Sequence, residues 1–137
     1  LDDIICYLKI GISGAGRSLK ANMLFAERSE DVAGYAPASS HRHQGEFDQE
    51  FSALAGRPVQ IRFAPHLVPV SRGILAACYL KGDPQAIHKA LVSAYATEPF
   101  IKVLPFGQLP AMAHVQGSNF CHLGVAGDRV PGRAMVV

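Results

Sequence analysis

The first third of the chain carries two short patterns of apolar residues separated by a glycine-rich break. Residues 4–10 (IICYLKI) are rich in β-branched and aromatic side chains, which predicts a strand. Three glycines between Gly11 and Gly16 then allow the backbone to turn sharply. From Ser18 to about Glu30 the pattern predicts a short helix. Its single apolar stripe consists of Leu19, Met23, Leu24, Phe25 and Ala26.

A second helix is predicted over residues 45–55. Phe47, Phe51 and Leu54 recur at the spacing of one helical face, and the pattern stops at Gly56. Glu46 lies in the first turn. Residues 35–40, which precede this region, are predicted to form a loop or an extended passage.

Two strands are predicted next. Residues 59–63 alternate apolar and polar, as a half-buried strand does, and residues 74–80 follow after a proline-rich turn at residues 65–73. Antiparallel pairing of these two strands is plausible because they are close in sequence.

The last part of the chain begins with a strong helix signal. Asp83 precedes Pro84, which places an N-cap residue before proline at the first helical position. The helix is expected to end near Ala96, with an apolar face made by Ile87, Leu91, Ala94 and Tyr95. Further strands are predicted at residues 101–104, 114–126 and 133–137, the last two joined by a hairpin turn at 127–132.

This order of elements predicts an α+β fold with a mixed, mostly antiparallel sheet covered by helices on one face. The other face of such a sheet needs a partner, since monomers rarely expose a large apolar face. A second subunit or another domain would supply it, and a homo-oligomer formed through the sheet is expected.

Composition limits the classes of function. The chain has 137 residues, 49% of them hydrophobic, which fits one globular domain over residues 1–137. A net charge of +2 is too small and too dispersed to indicate nucleic acid or a membrane surface as partner. The sequence shows no bilayer-spanning run and no signal peptide, so a cytoplasmic setting is expected. The chain opens on a strand without an initiator methionine, which suggests an excised domain.

The three cysteines do not indicate a disulfide framework. Cys6, Cys78 and Cys121 are widely spaced in apolar surroundings, which favours buried, reduced thiols. Cys121 is adjacent to His122, but neighbouring residues on a strand point to opposite faces, so the pair does not resemble a nucleophile with its base.

The segment from His41 to Glu46 (HRHQGE) carries the clearest acid/base chemistry. His43 is the preferred proton donor, and Glu46, three residues later, is placed to orient its ring. One alternative is a polar helix cap with solvated histidines. Another is a metal site in which His41, His43 and Glu46 are completed by a distant histidine, His66 or His114.

Two further segments suggest recognition of an anion. The run from Ser13 through Gly14 to Arg17 offers backbone N–H groups and a guanidinium, although a plain turn is also consistent with it. It lacks the spacing and the ending of a Walker loop. Arg72 lies in an apolar neighbourhood, where an unpaired guanidinium is costly, so a carboxylate or a phosphate is expected beside it. His66 by itself is more often structural than a ligand.

Four motifs taken in order resemble a known family. They are SGAGR at residues 13–17, HRH at 41–43 with Glu46, FAPHLVPVSRGIL at 63–75 and HVQGSN at 114–119. Together they resemble the N-acetyl-γ-glutamyl-phosphate reductase family of arginine biosynthesis over essentially the whole chain. The region that resembles this chain is only the C-terminal catalytic and dimerisation domain, whose fold is similar to the second domain of glyceraldehyde-3-phosphate dehydrogenase.

The resemblance implies a reaction that this chain does not complete alone. The family uses NADPH to reduce an acyl phosphate to the semialdehyde, and phosphate leaves as a thioester forms on a cysteine. In the family, that cysteine (in a Gly-Cys-Tyr-Pro-Thr context) and the NADP-binding Rossmann domain precede the matching segment. Neither pattern occurs here, so the isolated chain is expected to be inactive and to bind no cofactor.

The resemblance also implies roles for individual residues. His43 would act as the acid/base, Glu46 would orient it, and His41 is the alternative acid/base. Five residues would form the surface for the acyl phosphate and the substrate carboxylate: Ser13, Gly14, Arg17, His66 and Arg72. The related aminoadipyl-phosphate reductases of lysine biosynthesis share much of this pattern and are the nearest alternative in substrate.

Overall fold

The computed structural model describes residues 3–18, 20–36 and 40–137. Its strands are β1 (Ile4–Gly11), β2 (Ala33–Gly34), β3 (Ile61–Val68), β4 (Ile74–Lys81), β5 (Ile101–Val103), β6 (Cys121–Leu123), β7 (Val125–Gly127) and β8 (Arg133–Val136). Its α-helices are α1 (Phe25–Arg28), α2 (Gln44–Ala55) and α3 (Pro84–Ala94).

The residues group into two compact units, described separately below. One is Cys6–Ala76, and the other is Ala77–Val137 together with the start of the chain up to Ile5. Three strand pairs are antiparallel (β2–β3, β4–β8 and β7–β8), and β5–β6 is parallel. The predicted α+β class with a mixed, mostly antiparallel arrangement is therefore confirmed.

In the unit Cys6–Ala76 the strand order is β2-β3-β1. Alternate residues of β3 are buried, namely Ile61, Phe63, Pro65 and Leu67. Because side chains alternate across a strand, the residues between them face the other side of the sheet. The neighbours of β3 are β2 and β1, so the expected pairing of β3 with β4 was wrong.

The strand β3 also extends further than its alternation predicted, through residues that were expected to turn. Pro65 lies inside it, where its carbonyl oxygen accepts the Tyr35 N–H at 3.0 Å. The two residues of β2 pair with His66 and Leu67, so the hydrogen bonds between β2 and β3 do not require an N–H at Pro65. A proline is therefore tolerated at this position of the strand. The turn is thus confined to residues 69–73.

Helix α2 confirms the prediction for residues 45–55. It ends at Gly56, whose φ of 64° is the left-handed conformation that favours glycine. Its apolar face is only partly covered, since Leu54 is 86% exposed. Two polar side chains attach the helix instead. Gln44 donates to the Ile61 carbonyl at 3.0 Å, and the Ser52 hydroxyl bonds both the N–H and the C=O of Val59.

The helix predicted from Ser18 to Glu30 was largely wrong. A 3-10 helix covers Ala21–Met23, and α1 is limited to four residues after an extended Leu24 (ψ 144°). Leu24 and Phe25 are 40% and 47% exposed, so the predicted stripe packs against little. Short helices depend on such packing for stability. Leu19 lies outside the described residues.

The unit that contains Ala77–Val137 has the strand order β4-β8-β7, with β5 and β6 in a separate pair. Helix α3 begins as predicted, because the Asp83 carboxylate accepts the Ala86 N–H at 3.0 Å and Pro84 follows it. The hairpin of β7 and β8 is confirmed by pairing of Gly127 with Ala134.

One long strand had been predicted over residues 114–126, and the structure shows two short ones. A 3-10 helix occupies Met112–His114, and Gly124 separates β6 from β7, which belong to different sheets. A Cβ at Gly124 would lie 2.4 Å from the Gln108 carbonyl oxygen. Glycine at this position leaves room for the close passage of that backbone.

The three cysteines differ in exposure. Cys6 is buried as predicted, Cys78 is half-buried, and Cys121 is exposed, contrary to expectation. No helix within the described residues has the length and apolar character needed to cross a membrane.

Candidate functional site

The two histidines of the HRHQGE segment lie together at the start of α2. Their ring centroids are 4.9 Å apart. The ring of His41 also contacts Phe63 of β3 at 5.0 Å and Tyr35 at 5.7 Å, both edge-on. Phe47, one turn into α2, contacts Phe63 at 5.0 Å and so completes the cluster.

These aromatic contacts bear on the interpretation of the segment as a solvated helix cap. His43 occupies the N-cap position, but within the described residues its side chain makes no capping hydrogen bond. Both histidines are half-buried and packed against rings. A solvated cap does not require this packing, and the acid/base role of the segment stays a prediction.

The hydrogen bonds of the two rings differ. The His43 backbone N–H donates to Nδ1 of His41 at 3.3 Å. Nε2 of His43 accepts from Nε of Arg42, also at 3.3 Å, on an exposed surface. The two bonds are equally long, but Nδ1 of His41 has a part-buried backbone partner, whereas Nε2 of His43 has an exposed side-chain partner.

The pKa of His41 is lowered from its ordinary value. Burial is the main cause, and the neighbouring His43 and Arg42 lower it further, while Glu46 acts in the opposite direction. The neutral imidazole of His41 is thus favoured near neutral pH.

Glu46 stands in the first turn of α2, and its side chain is exposed. Within residues 40–137 no hydrogen bond or ion pair joins it to His43. Its charge acts on His41 through space. The orienting role of Glu46 toward His43 stays a prediction.

A cavity of about 620 Å³ adjoins this cluster along β3. It shares Tyr35, Gln44 and Phe63 with the surroundings of the histidines. Asp48, on the next turn of α2, also lines it, and within the described residues the buried Oδ1 of Asp48 has no hydrogen-bond partner. The cavity is large enough for a small metabolite.

A second group of predicted site residues meets where β1 ends. The N–H groups of Gly11, Ile12 and Ser13 donate to the carbonyls of Gly73, Val70 and Ser71 at 2.9, 2.9 and 3.1 Å. Ser13 and Gly14 are thereby placed beside the loop that carries Arg72. Within the run predicted to bind an anion, the N–H groups of Ser13 and Gly16 are bonded, the latter to the Ser13 carbonyl at 3.3 Å. The anion-binding role of residues 13–17 stays a prediction.

The two arginines of this region are exposed. Arg72 had been expected in an apolar environment, and that expectation was wrong, because the turn at residues 69–73 lies on the surface. Arg17 follows Gly16, whose φ of 91° turns the chain. Exposed guanidinium groups suit recognition of an anion that arrives from outside. In the described part of the chain, no hydrogen bond or ring contact links this group to the histidines.

His66 lies three residues after Phe63 on β3 and also lines the cavity beside the histidine cluster. It alternates with Phe63 along β3, so the two side chains point to opposite faces. Its ring lies 4.4 Å from that of Tyr7, and Nδ1 bonds the Ala64 carbonyl at 3.1 Å. The substrate-binding role of His66 is not supported by any contact with the histidine cluster and stays a prediction.

The described residues do not support the metal-site alternative. No group of three or more His, Cys, Asp or Glu side chains in that part of the chain is arranged to hold an ion.

Sequence patterns missed the aromatic residues that hold the histidines. Tyr35 and Phe63 are far from His41 in the chain, and no local pattern connects them. Phe47 was recognised only as part of a helical stripe. The attachments made by Gln44 and Ser52 were also missed, since each depends on where β3 lies relative to α2.

Comparison with known proteins places these observations in a family. A family model described as "Semialdehyde dehydrogenase, dimerisation domain" matches residues 1–137. Two solved structures share the fold: a probable aspartate-semialdehyde dehydrogenase from Pseudomonas aeruginosa (TM-score 0.70, 15% identity) and aspartate semialdehyde dehydrogenase II from Vibrio cholerae (TM-score 0.71, 12% identity). Each match covers 98% of this chain and 48% of the other.

Curated relatives are more similar in sequence. This chain is 78% identical over 137 residues to N-acetyl-gamma-glutamyl-phosphate reductase of Paracoccus denitrificans and 64% identical to the protein of that name from Cereibacter sphaeroides. In both cases the match covers all of this chain and 40% of the relative. The chain thus spans less than half the length of the curated relatives it matches.

Proposed function

This chain belongs to the semialdehyde dehydrogenase dimerisation domain family, and from that premise we propose that it is the catalytic and oligomerisation domain of an NADP-dependent acyl-phosphate reductase. The proposed reaction converts N-acetyl-glutamyl phosphate to the semialdehyde and phosphate in the cytoplasm. The names of the similar reductases support this substrate over the aminoadipyl alternative. Residues 1–137 would act as one domain beside a separate NADP-binding domain.

The observation that carries the proposal is the histidine cluster at the start of α2. His43 would be the acid/base of the reaction, because its hydrogen-bond partner Arg42 lies on an exposed surface, from which a substrate can reach the ring. A protonated imidazole can donate to the oxygen that becomes charged as the acyl group is attacked. Glu46, in the first turn of α2, would orient this imidazole.

The exposed surface near Ser13, Gly14, Arg17 and Arg72 would bind the anionic groups of the substrate. Two guanidinium groups suit a phosphate or a carboxylate, which arginine binds through paired hydrogen bonds. His66 belongs to this set by resemblance alone. The nucleophilic cysteine and NADP would be held by another part of the longer protein.

A test needs a protein that contains this chain together with the remainder found in its relatives. Phosphate release and NADPH oxidation would be followed for wild type and for His43→Ala. Loss of general acid/base catalysis predicts a fall in kcat of about 10²–10⁴-fold. Lys89→Ala, an exposed change on α3, is the control. Normal turnover by His43→Ala would remove His43 from this role.

The isolated chain gives a complementary test of the missing cofactor domain. Titration with NADPH, followed by its fluorescence, should show no saturable binding. Tight binding by residues 1–137 would contradict the assignment of NADP to another domain.

We also infer self-association through the face of β1 and β3 opposite Phe63. Tyr7 and His66 stack on that face, and Lys9 lies 4.2 Å from the Tyr7 ring centroid. Aromatic residues are enriched at interfaces, and the family description supports a dimer. Sedimentation equilibrium should show a dimer that Tyr7→Asp weakens. A monomer at all concentrations would contradict the inference.

A further inference from the structure

We propose that His41 is a positioning residue for His43, acting through its Nδ1 atom. This inference rests on the proposed acid/base role of His43. His41 would hold the backbone from which the His43 side chain projects, and it would not itself transfer a proton.

The first step of the argument concerns the backbone before α2. His41 uses two acceptors there: its carbonyl oxygen accepts the Gln44 N–H at 3.0 Å, and its Nδ1 accepts the His43 N–H at 3.3 Å. The first N–H groups of a helix have no partner within the helix. His41 therefore supplies acceptors for two N–H groups at the start of α2. Its side-chain bond resembles the one that an Asn or Asp side chain makes to a nearby backbone N–H in a turn.

The second step concerns the ring of His41, which is fixed from three sides. Phe63, Tyr35 and His43 contact it edge-on at centroid distances of 5.0, 5.7 and 4.9 Å. Phe63 is 7% exposed and belongs to β3, so the ring rests on a buried part of the unit. A ring held in this way presents Nδ1 in a constant direction, and the bond to the His43 N–H depends on that direction.

The third step concerns the proton on His41. Since Nδ1 accepts a hydrogen bond, the neutral ring carries its proton on Nε2. Protonation of Nδ1 would turn a proton toward the His43 N–H and break the bond. Burial lowers the pKa of His41 and so favours the neutral form that the bond requires.

These observations separate the two histidines in function. His41 packs against Phe63 and Tyr35 and is bonded through Nδ1. Besides its contact with His41, His43 contacts Phe47 at 6.4 Å and has an exposed partner in Arg42. A group that transfers protons must reach the substrate, and His43 is the freer of the two. The role of His41 is to fix where α2 begins.

Two substitutions distinguish the nitrogens of His41. In His41→Asn the side-chain oxygen can take the place of Nδ1, whereas His41→Gln places its amide near the position of Nε2. In the 137-residue chain, exchange of the His43 amide hydrogen would be measured by NMR. We expect exchange about 3- to 10-fold faster in His41→Gln and His41→Ala, and close to wild type in His41→Asn.

His114→Gln is the matched control, because Nδ1 of His114 accepts the Ala111 N–H at 3.3 Å in the other unit. It should not change the His43 amide. Long-range proton–nitrogen correlations should also show His41 of the wild type protonated at Nε2. An unchanged His43 amide in His41→Ala, or a proton on Nδ1 of His41, would overturn the proposal.

Kinetics of the full-length protein give the second readout. Positioning through Nδ1 predicts that His41→Asn retains more of kcat than His41→Gln, with little change in KM. Equal losses in both variants with a normal His43 amide would mean that His41 takes part in the chemistry directly. If the full-length protein has no reductase activity, the proposed function fails, while the amide and tautomer measurements still decide the positioning role.

Discussion

Replacement of Gly11 by alanine tests how the end of β1 is built. The backbone of Gly11 has φ −65° and ψ 154°, which any residue adopts, so its conformation gives no reason for glycine. The reason is space: a Cβ there would lie 2.9 Å from N, Cα and C of Arg72. Ordinary contacts of a Cβ are 3.4–4 Å, so the loop at residues 69–73 would have to move.

The expected change in the free energy of unfolding follows from two opposing effects. Overpacking against backbone costs about 1–3 kcal/mol, whereas replacing glycine lowers the entropy of the unfolded chain and recovers about 0.4–1 kcal/mol. The clash is the larger effect, so we expect Gly11→Ala to lower the free energy of unfolding by roughly 0.5–2.5 kcal/mol. The displaced loop also carries Arg72, so the proposed binding of an anionic substrate group should weaken together with stability.

Gly45→Ala is the matched control. Gly45 lies inside α2, and a Cβ at this position would meet nothing within 4 Å, so the same chemical change should stabilise the protein by about 0.5–1 kcal/mol. Urea denaturation would measure both variants, and amide exchange at Gly11, Ile12 and Ser13 would report on the loop. The reasoning is refuted if Gly11→Ala unfolds at the wild-type urea concentration with those amides equally protected.

Three further predictions rest on single contacts. Asp83→Ala removes the cap of α3 and should lower the free energy of unfolding, measured by heat or urea, by about 0.5–2 kcal/mol. Asp83→Asn should retain most of the stability, because its side-chain oxygen can still accept the Ala86 N–H. Equal losses in the two variants would contradict the capping role. Ser52→Ala leaves the buried Val59 N–H without its 2.9 Å acceptor and should lower the free energy of unfolding by about 1–3 kcal/mol. Ser93→Ala, at an exposed position, is the control and should have little effect. Matching losses in the two variants would argue against the Ser52 contact. Because the pKa of His41 is lowered in the folded protein, the unfolded chain binds a proton at His41 more readily than the folded chain does. His41 therefore contributes stability above about pH 6.5, and this stability is lost as the pH falls through the folded pKa. Urea unfolding of wild type and His41→Asn between about pH 5 and 8 should show this dependence in wild type alone, and parallel curves would refute it.

Several elements were predictable because their signals are local. The capping residue before Pro84, the glycine that ends α2, and the β-branched content of β1 each act within a few residues of the element they define. The candidate histidines were recognised for the same reason, since HRHQGE concentrates its chemistry in six residues.

Other elements depended on partners that are distant in the chain. The stripe in residues 18–30 has helical spacing, yet only Phe25–Arg28 is α-helical, because Leu24 and Phe25 remain exposed. Pro65 predicted a turn, but the short β2 makes it compatible with a strand. The spacing of apolar residues alone does not show which surface a helix or strand will pack against.

The sequence by itself determined the α+β class, the positions of β1, α2, α3, β4 and the β7–β8 hairpin, and the segment that holds the candidate acid/base. Only the tertiary structure decided that His41 rests on Phe63 and bonds the His43 N–H, that His66 faces the other side of β3, and that the N–H groups after β1 bond the 70–73 loop. The physical reason is that local propensities act between neighbours in the chain. Ring packing, strand faces and backbone hydrogen bonds between segments are set by the pairing of residues far apart in sequence.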